Sequence, residues 1–439
     1  MQVMKFGGTS VGSAVNIKGV ERIITAPGRR IVVLSAMSGT TNSLVEINSH
    51  VKKGNTKEAL SIVEKLRVKY QDTMRELIPN GEGEKLIDVE FQLLASKVAL
   101  PYSENAAKEI VVVGEIITTR MVTRYLCSKG VNVRLLDALN FMRVDSNGEP
   151  DYYYVKESIE RDLATYSNCD LFITQGFICK TMNGDVSNLT RGGSDYSATI
   201  IGAAVQAEEV LIWSDKDGLL NCDPRFVGKT YPLDTISYEE AEELAYFGAK
   251  ILHPSCIFPV KGLKIPVRLK NTMNPQAPGT LICNESTGKP GEIKAIAAKD
   301  DITAIYISSA SMLNAYGFLS KIFNVFNNYK TSVDMITTSE VSVAVTINDN
   351  SRLDEIVKDL SLLGEIEYIE NQTIICVVGN IPAQQSGISV AIFEAMKEIP
   401  IKMTSYGASK RNITMLIDGK DKSRALDTLN NNLFKDKLC

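Results

Sequence analysis

The sequence predicts an α/β layer fold with a largely parallel sheet, followed by two small α+β modules. Three observations lead to this prediction. Short apolar runs alternate with helical patterns over most of the chain, a stretch rich in proline, glycine and asparagine (271–292) interrupts them, and the chain beyond that stretch repeats itself. Alternating strands and helices favour a parallel sheet, because each parallel pair of strands needs a crossover connection.

The composition is that of a globular protein with more than one domain. The chain has 439 residues, of which 44% are hydrophobic and 23% charged, and its net charge is −4, so we expect two or three domains and no nucleic-acid or membrane partner. No apolar run approaches the roughly 18 residues of a membrane span, and we expect no signal peptide. Eight scattered cysteines and only two histidines indicate reduced thiols in a cytoplasmic protein, with neither disulfides nor a zinc site.

The elements of the first part follow in order along the chain. After the first apolar run, the pattern between about 43 and 128 is mostly helical. Asn183-Gly184 predicts a tight hairpin, and residues 191–215 predict a glycine turn, an apolar helix and a strand. The other short apolar segments, which predict buried strands, are residues 30–36, 131–137 and 169–177.

The last part of the chain contains an internal repeat. A shift of 70 residues superposes Gly317 on Gly387 and Ile322 on Ile392. Each copy has a glycine turn, an amphipathic helix, two strands and a second helix. Such βαββαβ-like copies are more typical of regulatory modules than of a catalytic core. The alternative is that two unrelated α+β segments share the pattern by chance.

Two turns of small residues follow the first two predicted strands, where ligands of open α/β sheets bind. Lys5 stands directly before the turn that contains Gly7, Gly8 and Ser10, and a second turn of small residues spans 35–42. Glycine lets backbone amides approach an anion, and Lys5 adds a full positive charge. The alternative is an ordinary turn between strand and helix with a surface lysine.

Two further polar clusters occur between 191 and 225. Arg191 can hold a carboxylate through two hydrogen bonds, whereas Asp195 is equally compatible with a helix cap. The loop 213–225 lacks the spacing of a calcium loop, and a ribose or phosphate contact is the better interpretation. Asp223 stands where a Walker A motif before Gly228 would need glycine, and the chain has no GxGxxG, so the usual nucleotide fingerprints are excluded.

Two single residues also stand out. Glu115 enters a predicted helix just after an apolar run, and Lys250 lies between an amphipathic helix and a turn that ends in proline. Each has an ordinary structural interpretation, as a charge that complements a helix N-terminus and as a solvated lysine at a helix end. His253, beside Lys250, is interpreted as structural.

Together these motifs resemble the aspartokinases of the amino acid kinase family, in the same order and over the whole chain. The resemblance implies an amino acid kinase-type three-layer sandwich with a mostly parallel central sheet (1–285). It also implies a regulatory region (295–439) of two ferredoxin-like, ACT-like modules at about 300–375 and 376–439, whose intertwining stays open. The motifs are "KFGGTSVG" at the start, "GE" at 114–115, "TQGF" at 174–177, "RGGSD" at 191–195 and "FGAKILHP" at 247–254.

The resemblance also implies an activity, the transfer of the γ-phosphoryl group of MgATP to the side-chain carboxylate of L-aspartate. This is the first step of lysine, threonine and methionine biosynthesis. The resemblance implies no metal ligand from the protein itself. The implied catalytic residues are Lys5, Asp195 and Lys250; those that bind aspartate are Thr41, Glu115, Phe177, Arg191 and Ser194; those that bind the nucleotide are Gly7, Gly8, Ser10, Gly39, Ser214, Asp215 and Arg225.

The first repeat resembles the effector site of lysine-inhibited members, and the ACT-like modules imply a homodimer. Asn314, Ala315 and Tyr316 depart from the more polar run of those members, so lysine and threonine both stay open as effectors. The alternatives for the whole chain are a kinase for glutamate, N-acetylglutamate or carbamate, and a non-catalytic amino-acid sensor. The implied effector residues are Met312, Gly317, Phe318, Leu319, Ser332, Val333, Asp334, Ser339 and Glu340.

Overall fold

The structure is a computed structural model that describes residues 1–189, 192–248, 252–284, 289–313, 316–382 and 384–438. Contacts within the chain divide it into two units. Among the described residues, the first unit comprises 1–219, 234–238 and 252–284, and the second comprises 220–233, 239–248 and the residues from 289 onwards.

The first unit is built on an eight-stranded sheet with the order β3-β4-β2-β1-β7-β9-β10-β8. Its paired strands run parallel, except that β9 and β10 are antiparallel, so the predicted, mostly parallel sheet is confirmed. The strands are β1 (Gln2–Phe6), β2 (Arg30–Leu34), β3 (Val133–Leu136), β4 (Leu171–Gln175), β7 (Glu209–Ser214), β8 (Thr235–Ser237), β9 (Val267–Asn271) and β10 (Thr280–Cys283), with β5 (Ile178–Lys180) and β6 (Val186–Asn188) forming a separate hairpin.

Helices cover both faces of this sheet. Met4 and Leu34 belong to a core that includes apolar residues of the first helices, while Val3 and Val33, which point to the other face, are also fully buried. The helices of this unit are α1 (Ala14–Ile24), α2 (Thr40–Lys52), α3 (Thr56–Leu77), α4 (Glu84–Val98), α5 (Glu104–Val111), α6 (Val113–Ser128), α7 (Ala138–Phe141), α8 (Tyr152–Thr165), α9 (Gly193–Ala204) and α11 (Phe258–Lys261). Between α9 and α11 in the sequence, α10 (Tyr238–Tyr246) belongs to the second unit from residue 239 onwards.

The second unit contains one six-stranded antiparallel sheet with the order β12-β13-β11-β14-β16-β15. Its strands are β11 (Ile293–Ser308), β12 (Ile336–Thr338), β13 (Ser342–Ile347), β14 (Glu365–Gly379), β15 (Met403–Ser405) and β16 (Asn412–Asp418). Its helices are α12 (Phe318–Asn328), α13 (Leu353–Leu360), α14 (Ile388–Ala395), α15 (Lys422–Leu433) and α16 (Lys435–Leu438).

The long strands β11 and β14 each take part in two hydrophobic cores. Ile305 of β11 packs in one core with α12 and α13, whereas Ile296 of the same strand packs in the other with α14 and α15. The 70-residue repeat is visible in the backbone, since Asp301 and Asn371 both have a φ of 57°. Both lie where the pairing of the two long strands shifts register, so one backbone irregularity marks the change of core in each strand.

Two segments that precede residue 284 pack within the second unit. The side chains of Asn221 and Asn430 share a buried hydrogen bond of 2.7 Å from Nδ2 to Oδ1, and the ring of Tyr231 meets that of Phe434 edge-on. Along α10, Glu243 accepts a hydrogen bond of 2.9 Å from the Ser409 hydroxyl. The boundary at residue 285 that the resemblance implies includes these segments in the first domain, and it stays a prediction.

Candidate active site

The predicted clusters of the first unit follow neighbouring parallel strands. β2, β1 and β7 are paired side by side, so the turns after Leu34, Phe6 and Ser214 lie at the same edge of the sheet. This edge is where ligands of open α/β sheets bind.

Lys5 and Asp195 form an ion pair at this edge. Lys5 Nζ lies 2.6 Å from Asp195 Oδ1, and the side chains are 12% and 19% exposed. Asp195 reaches this position from the first turn of α9, which begins after Gly192 with a φ of 66°. A Cβ atom added at Gly192 would lie 2.3 Å from Cys256 Sγ, so this turn requires glycine. The pair keeps a partly exposed ammonium group fixed at the end of β1.

A cavity of about 270 Å³ lies beside the turn after β2 and is lined by Gly8, Thr9, residues 35–39, Thr41 and Asn42. Gly39 has a φ of 80° and starts α2 without a side-chain cap. A Cβ added at Gly8 would lie 2.8 Å from the Ala36 carbonyl oxygen, so the two turns approach each other only because Gly8 has no side chain. The Thr40 amide donates to the Met37 carbonyl over 3.0 Å, whereas the amides of Thr41 and Asn42 have no acceptor within the helix and are available to an anion.

Glu115, in the first turn of α6, is a buried carboxylate that has no ion-pair partner among the described residues. It is 3% exposed, and Oε1 accepts a hydrogen bond of 3.3 Å from the Ala36 amide. Oε2 is buried without a hydrogen-bond partner among the residues that the structure describes. Burial raises the pKa of Glu115 to about 7. This site suits a cationic ligand, which would pair with Oε2 and stabilise the ionised form.

Ser194 and Phe177 lie beside the end of β4, the strand that is paired with β2. The Ser35 hydroxyl donates to Ser194 Oγ over 3.0 Å, which places the start of α9 against the turn after β2. Phe177 has a φ of 69°, and its amide donates to Ser197 Oγ over 2.8 Å. Positive φ in a bulky non-glycine residue is uncommon and is often found at functional sites.

The residues predicted to bind the nucleotide are distributed over both units. Ser214 and Asp215 end β7 in the first unit, whereas Arg225 belongs to the second, where its Nη2 lies 2.5 Å from Asp223 Oδ2. The hydroxyl of Ser10 is buried and shares a hydrogen bond of 2.7 Å with Thr272, so it is committed to an internal contact. Arg191 and Lys250 lie outside the described residues.

The predicted effector residues belong to the second unit. Gly317 begins α12 with a φ of 76°, Phe318 is buried in the core below it, and Met312 and Val333 are partly buried against that core. The exposed members are Gly317, Leu319, Ser332, Ser339 and Glu340.

Asp334 has partners that the sequence did not indicate. Its side chain is 1% exposed, and Oδ1 lies 2.7 Å from Lys299 Nζ and accepts a hydrogen bond from the Tyr246 hydroxyl. Burial, reinforced by Asp334, raises the pKa of Tyr246. Within the described part of the chain, Oδ2 is buried and unpartnered. Lys299 and Tyr246 were missed because they are distant in sequence and carry no motif.

Two kinds of feature are absent from the described residues. These residues include no group of three or more His, Cys, Asp or Glu side chains arranged to hold a metal ion. Within the same ranges, every helix is too short or too polar to cross a membrane.

Comparisons with known proteins place the chain in a family. The amino acid kinase family matches residues 1–271, and an ACT domain matches residues 375–433. Lysine-sensitive aspartokinase 3 of Escherichia coli (strain K12) is 34% identical over 452 residues, which cover 99% of both chains.

Solved structures agree with this result. A crystal structure of E. coli aspartokinase III in complex with aspartate and ADP has a TM-score of 0.84 at 33% identity, and the match covers 99% of this chain and 100% of that one. The crystal structure of E. coli aspartokinase III in complex with lysine and aspartate has a TM-score of 0.78, also at 33% identity, with 99% of both chains covered. The predicted fold and the resemblance are thus confirmed, and the chain belongs to the aspartokinases of the amino acid kinase family, phosphotransferases whose acceptor is a carboxyl group.

Proposed function

We propose that this chain transfers the γ-phosphoryl group of MgATP to the side-chain carboxylate of L-aspartate and forms 4-phospho-L-aspartate, the first step of lysine, threonine and methionine biosynthesis. The observation that carries the proposal is the buried Glu115 carboxylate, with its unpartnered Oε2, beside the glycine-rich edge that holds Lys5. The similarity to E. coli aspartokinase III, whose crystal structure is a complex with aspartate and ADP, supports the same substrates.

The reaction needs positioning and positive charge rather than a base. A carboxylate with an ordinary pKa of about 3.9 is already ionised at neutral pH, so no proton has to be removed from the nucleophile. The barrier lies in bringing this anion onto a phosphate and stabilising the transferring group. Lys5, held by Asp195 at 2.6 Å, would stabilise that group, and Lys250 would act with it.

Glu115 accounts for the amino group of the substrate. Its Oε2 would accept the α-ammonium, while Arg191 would hold the α-carboxylate and Thr41, Phe177 and Ser194 would line the pocket. An acylated amine, as in N-acetylglutamate, would leave the buried oxygen without a cation, at a cost of about 1–3 kcal/mol or more. Glu115 therefore favours a free amino acid over acylated substrates or carbamate.

The nucleotide would bind on the other side of the same edge. The amides around Gly7, Gly8 and Gly39 would contact phosphate oxygens, and the remaining proposed contacts are Ser214, Asp215, Arg225 and the backbone of Ser10, since the Ser10 hydroxyl is used by Thr272. Mg²⁺ commonly binds through nucleotide phosphates, water and one or two carboxylates. The residues at this edge fit a metal that arrives with ATP, whose chemistry is to neutralise phosphate charge.

We also propose that L-lysine inhibits the enzyme through Asp334. Its buried, unpartnered Oδ2 would accept an effector ammonium. The E. coli relatives, one of them lysine-sensitive and one crystallised with lysine, support lysine over threonine. The ACT-like modules would pair in a homodimer, and a cytoplasmic location stays a prediction from the cysteine pattern.

The test is aspartate-dependent formation of acyl phosphate, trapped with hydroxylamine, in the wild type, Lys5→Ala and Lys97→Ala. We expect hydroxamate from the wild type and a loss of kcat of about 10²- to 10³-fold in Lys5→Ala, because one preorganised charge contact is removed. Lys97 of α4 is paired with Glu109 of α5. Lys97→Ala is the matched control and should change kcat less than about twofold.

Other outcomes would reject parts of the proposal. Hydroxamate with glutamate but not aspartate would reject the substrate. Turnover by Lys5→Ala at the wild-type rate would reject the role of Lys5. Binding of lysine without turnover of any acid would favour the amino-acid sensor.

A further inference from the structure

Helices α3 and α6 contact the turn beside the cavity through a buried network of hydroxyl groups, which we call the hydroxyl network. Met37 lies in the turn between β2 and α2, and Thr40 is the first residue of α2. No sequence motif indicates that either residue contacts another helix. The Met37 amide donates to Thr118 Oγ1 over 3.2 Å. Thr40 Oγ1 lies 3.1 Å from the Tyr70 hydroxyl, which lies 3.0 Å from Thr118 Oγ1.

The direction of these hydrogen bonds follows from the number of protons. The Thr118 hydroxyl donates to the Gly114 carbonyl over 2.8 Å, so its single proton is used. Tyr70 must therefore donate to Thr118, and its oxygen accepts from Thr40. The hydroxyl groups of Thr40, Tyr70 and Thr118 therefore all find hydrogen-bond partners in only one arrangement of their protons.

The hydroxyl network is completely buried, so the loss of any of its hydrogen bonds is costly. Tyr70 and Thr118 are 0% exposed and Thr40 is 2% exposed. Removing the Tyr70 hydroxyl would leave the Thr40 proton without an acceptor and one Thr118 lone pair without a donor, and a buried polar group without a partner is strongly unfavourable. The turn could then regain hydrogen bonds only by moving.

We infer that Tyr70 and Thr118 are positioning residues that fix the first turn of α2 against the start of α6, and so fix the distance between the α2 amides and Glu115. The inference rests on the proposed function, in which Glu115 binds the α-ammonium of aspartate, Thr41 of α2 lines the same pocket, and the amides around Gly39 contact phosphate oxygens of the nucleotide. Tyr70 acts only through Thr40 and Thr118. The carbonyl of Gly114, which accepts from the Thr118 hydroxyl, belongs to the residue directly before Glu115.

The experiment compares Tyr70→Phe with Tyr125→Phe, and Thr118→Val with Thr118→Ser. Tyr125 is a buried tyrosine of α6, ten residues beyond Glu115 and about 15 Å away along the helix, and its hydroxyl donates to Glu21. Both tyrosine variants lose one buried hydroxyl, but only Tyr70→Phe interrupts the hydroxyl network. Thr118→Ser keeps the hydroxyl that Thr118→Val removes.

We expect Tyr70→Phe and Thr118→Val to raise the KM for aspartate about tenfold, as expected for one buried hydrogen bond, with kcat changed less than about threefold. Tyr125→Phe and Thr118→Ser should keep the wild-type KM, even if Tyr125→Phe lowers the Tm as much as Tyr70→Phe does. An equal rise of KM in Tyr125→Phe, or an unchanged KM in Tyr70→Phe, would overturn the inference.

Amide hydrogen exchange decides the inference independently of activity. In Tyr70→Phe, amides of residues 36–42 should exchange at least about fivefold faster than in the wild type and Tyr125→Phe, since the turn loses its support. Unchanged exchange in this segment would contradict the positioning role. If the wild type does not phosphorylate aspartate, the proposed function fails, whereas the exchange experiment still decides whether Tyr70 holds the turn.

Discussion

Glu115 in the first unit and Asp334 in the second are both buried carboxylates, but within the described ranges only Asp334 is paired with a cation. Asp334 lies 2.7 Å from Lys299 Nζ and accepts a hydrogen bond from the Tyr246 hydroxyl, whereas Glu115 Oε1 accepts one from the Ala36 amide. Each keeps a second oxygen that is buried and unpartnered among the described residues. Glu115 therefore needs a ligand to complete its electrostatics, while a ligand at Asp334 must share the carboxylate with Lys299.

The difference teaches how two buried acids can serve two purposes. A carboxylate without a cation makes the empty site unstable in its charged form and gives a cationic substrate a large gain on binding. A carboxylate that is already paired gives its ligand a smaller gain, which suits an effector that must be released when its concentration falls. Three predictions test this comparison.

The largest effect is expected from Glu115→Gln on catalysis. The variant should lower kcat/KM for aspartate by about 10²- to 10³-fold, mainly through KM, because a buried charge contact to the ammonium is lost. Steady-state kinetics with varied aspartate measures this loss. The KM for ATP is the internal control and should change less than about threefold; a similar rise for both substrates would show that Glu115 supports the fold rather than the ammonium.

The same variant should be more stable than the wild type at high pH. Burial raises the pKa of Glu115 to about 7, so between about pH 4.5 and 7 the native state holds a proton that the unfolded state has released. The free energy of unfolding contributed by this group is therefore highest below about pH 4.5 and is lost as the pH rises through 7.

Glu115→Gln removes this loss, and we expect it to gain on the order of 2–3 kcal/mol over the wild type at pH 8 and little at pH 5. Chemical denaturation without aspartate measures the difference. Glu90→Gln is the matched control, since Glu90 is buried but paired with Arg120, and it should lose stability at both values of pH. A Glu115→Gln variant with no gain at pH 8 would show that its second oxygen is solvated.

The smallest effect is expected from Lys299→Met on effector binding. Without the competing ammonium, Asp334 should bind lysine about three- to tenfold more tightly, as titration calorimetry would measure. Lys422→Met is the control, because Lys422 pairs with Asp300 in the same unit and should leave the affinity unchanged. Weaker binding in Lys299→Met would mean that Lys299 orients Asp334 rather than competes for it.

Local patterns predicted much of the molecule, because they depend on neighbours in the chain. The strand from Arg30 to Leu34 is a continuous apolar run apart from its first residue, and the glycine before α12 recurs 70 residues later before α14. Gly8 was recognisable because only a residue without a side chain permits such a close approach. The motifs shared with the family implied roles for individual residues, which the spacing of apolar residues cannot indicate.

The sequence by itself determined the order of strands and helices, the glycine turns at the strand ends and the repeat in the second unit, since backbone propensity and apolar spacing act over a few residues. Only the tertiary structure decided which polar groups meet. Tyr70 and Thr118 reach the cavity turn from 30 and 81 residues away, and Lys299 reaches Asp334 across 35. Such partners are selected by packing, because a buried polar group must find whatever donor or acceptor the fold brings beside it.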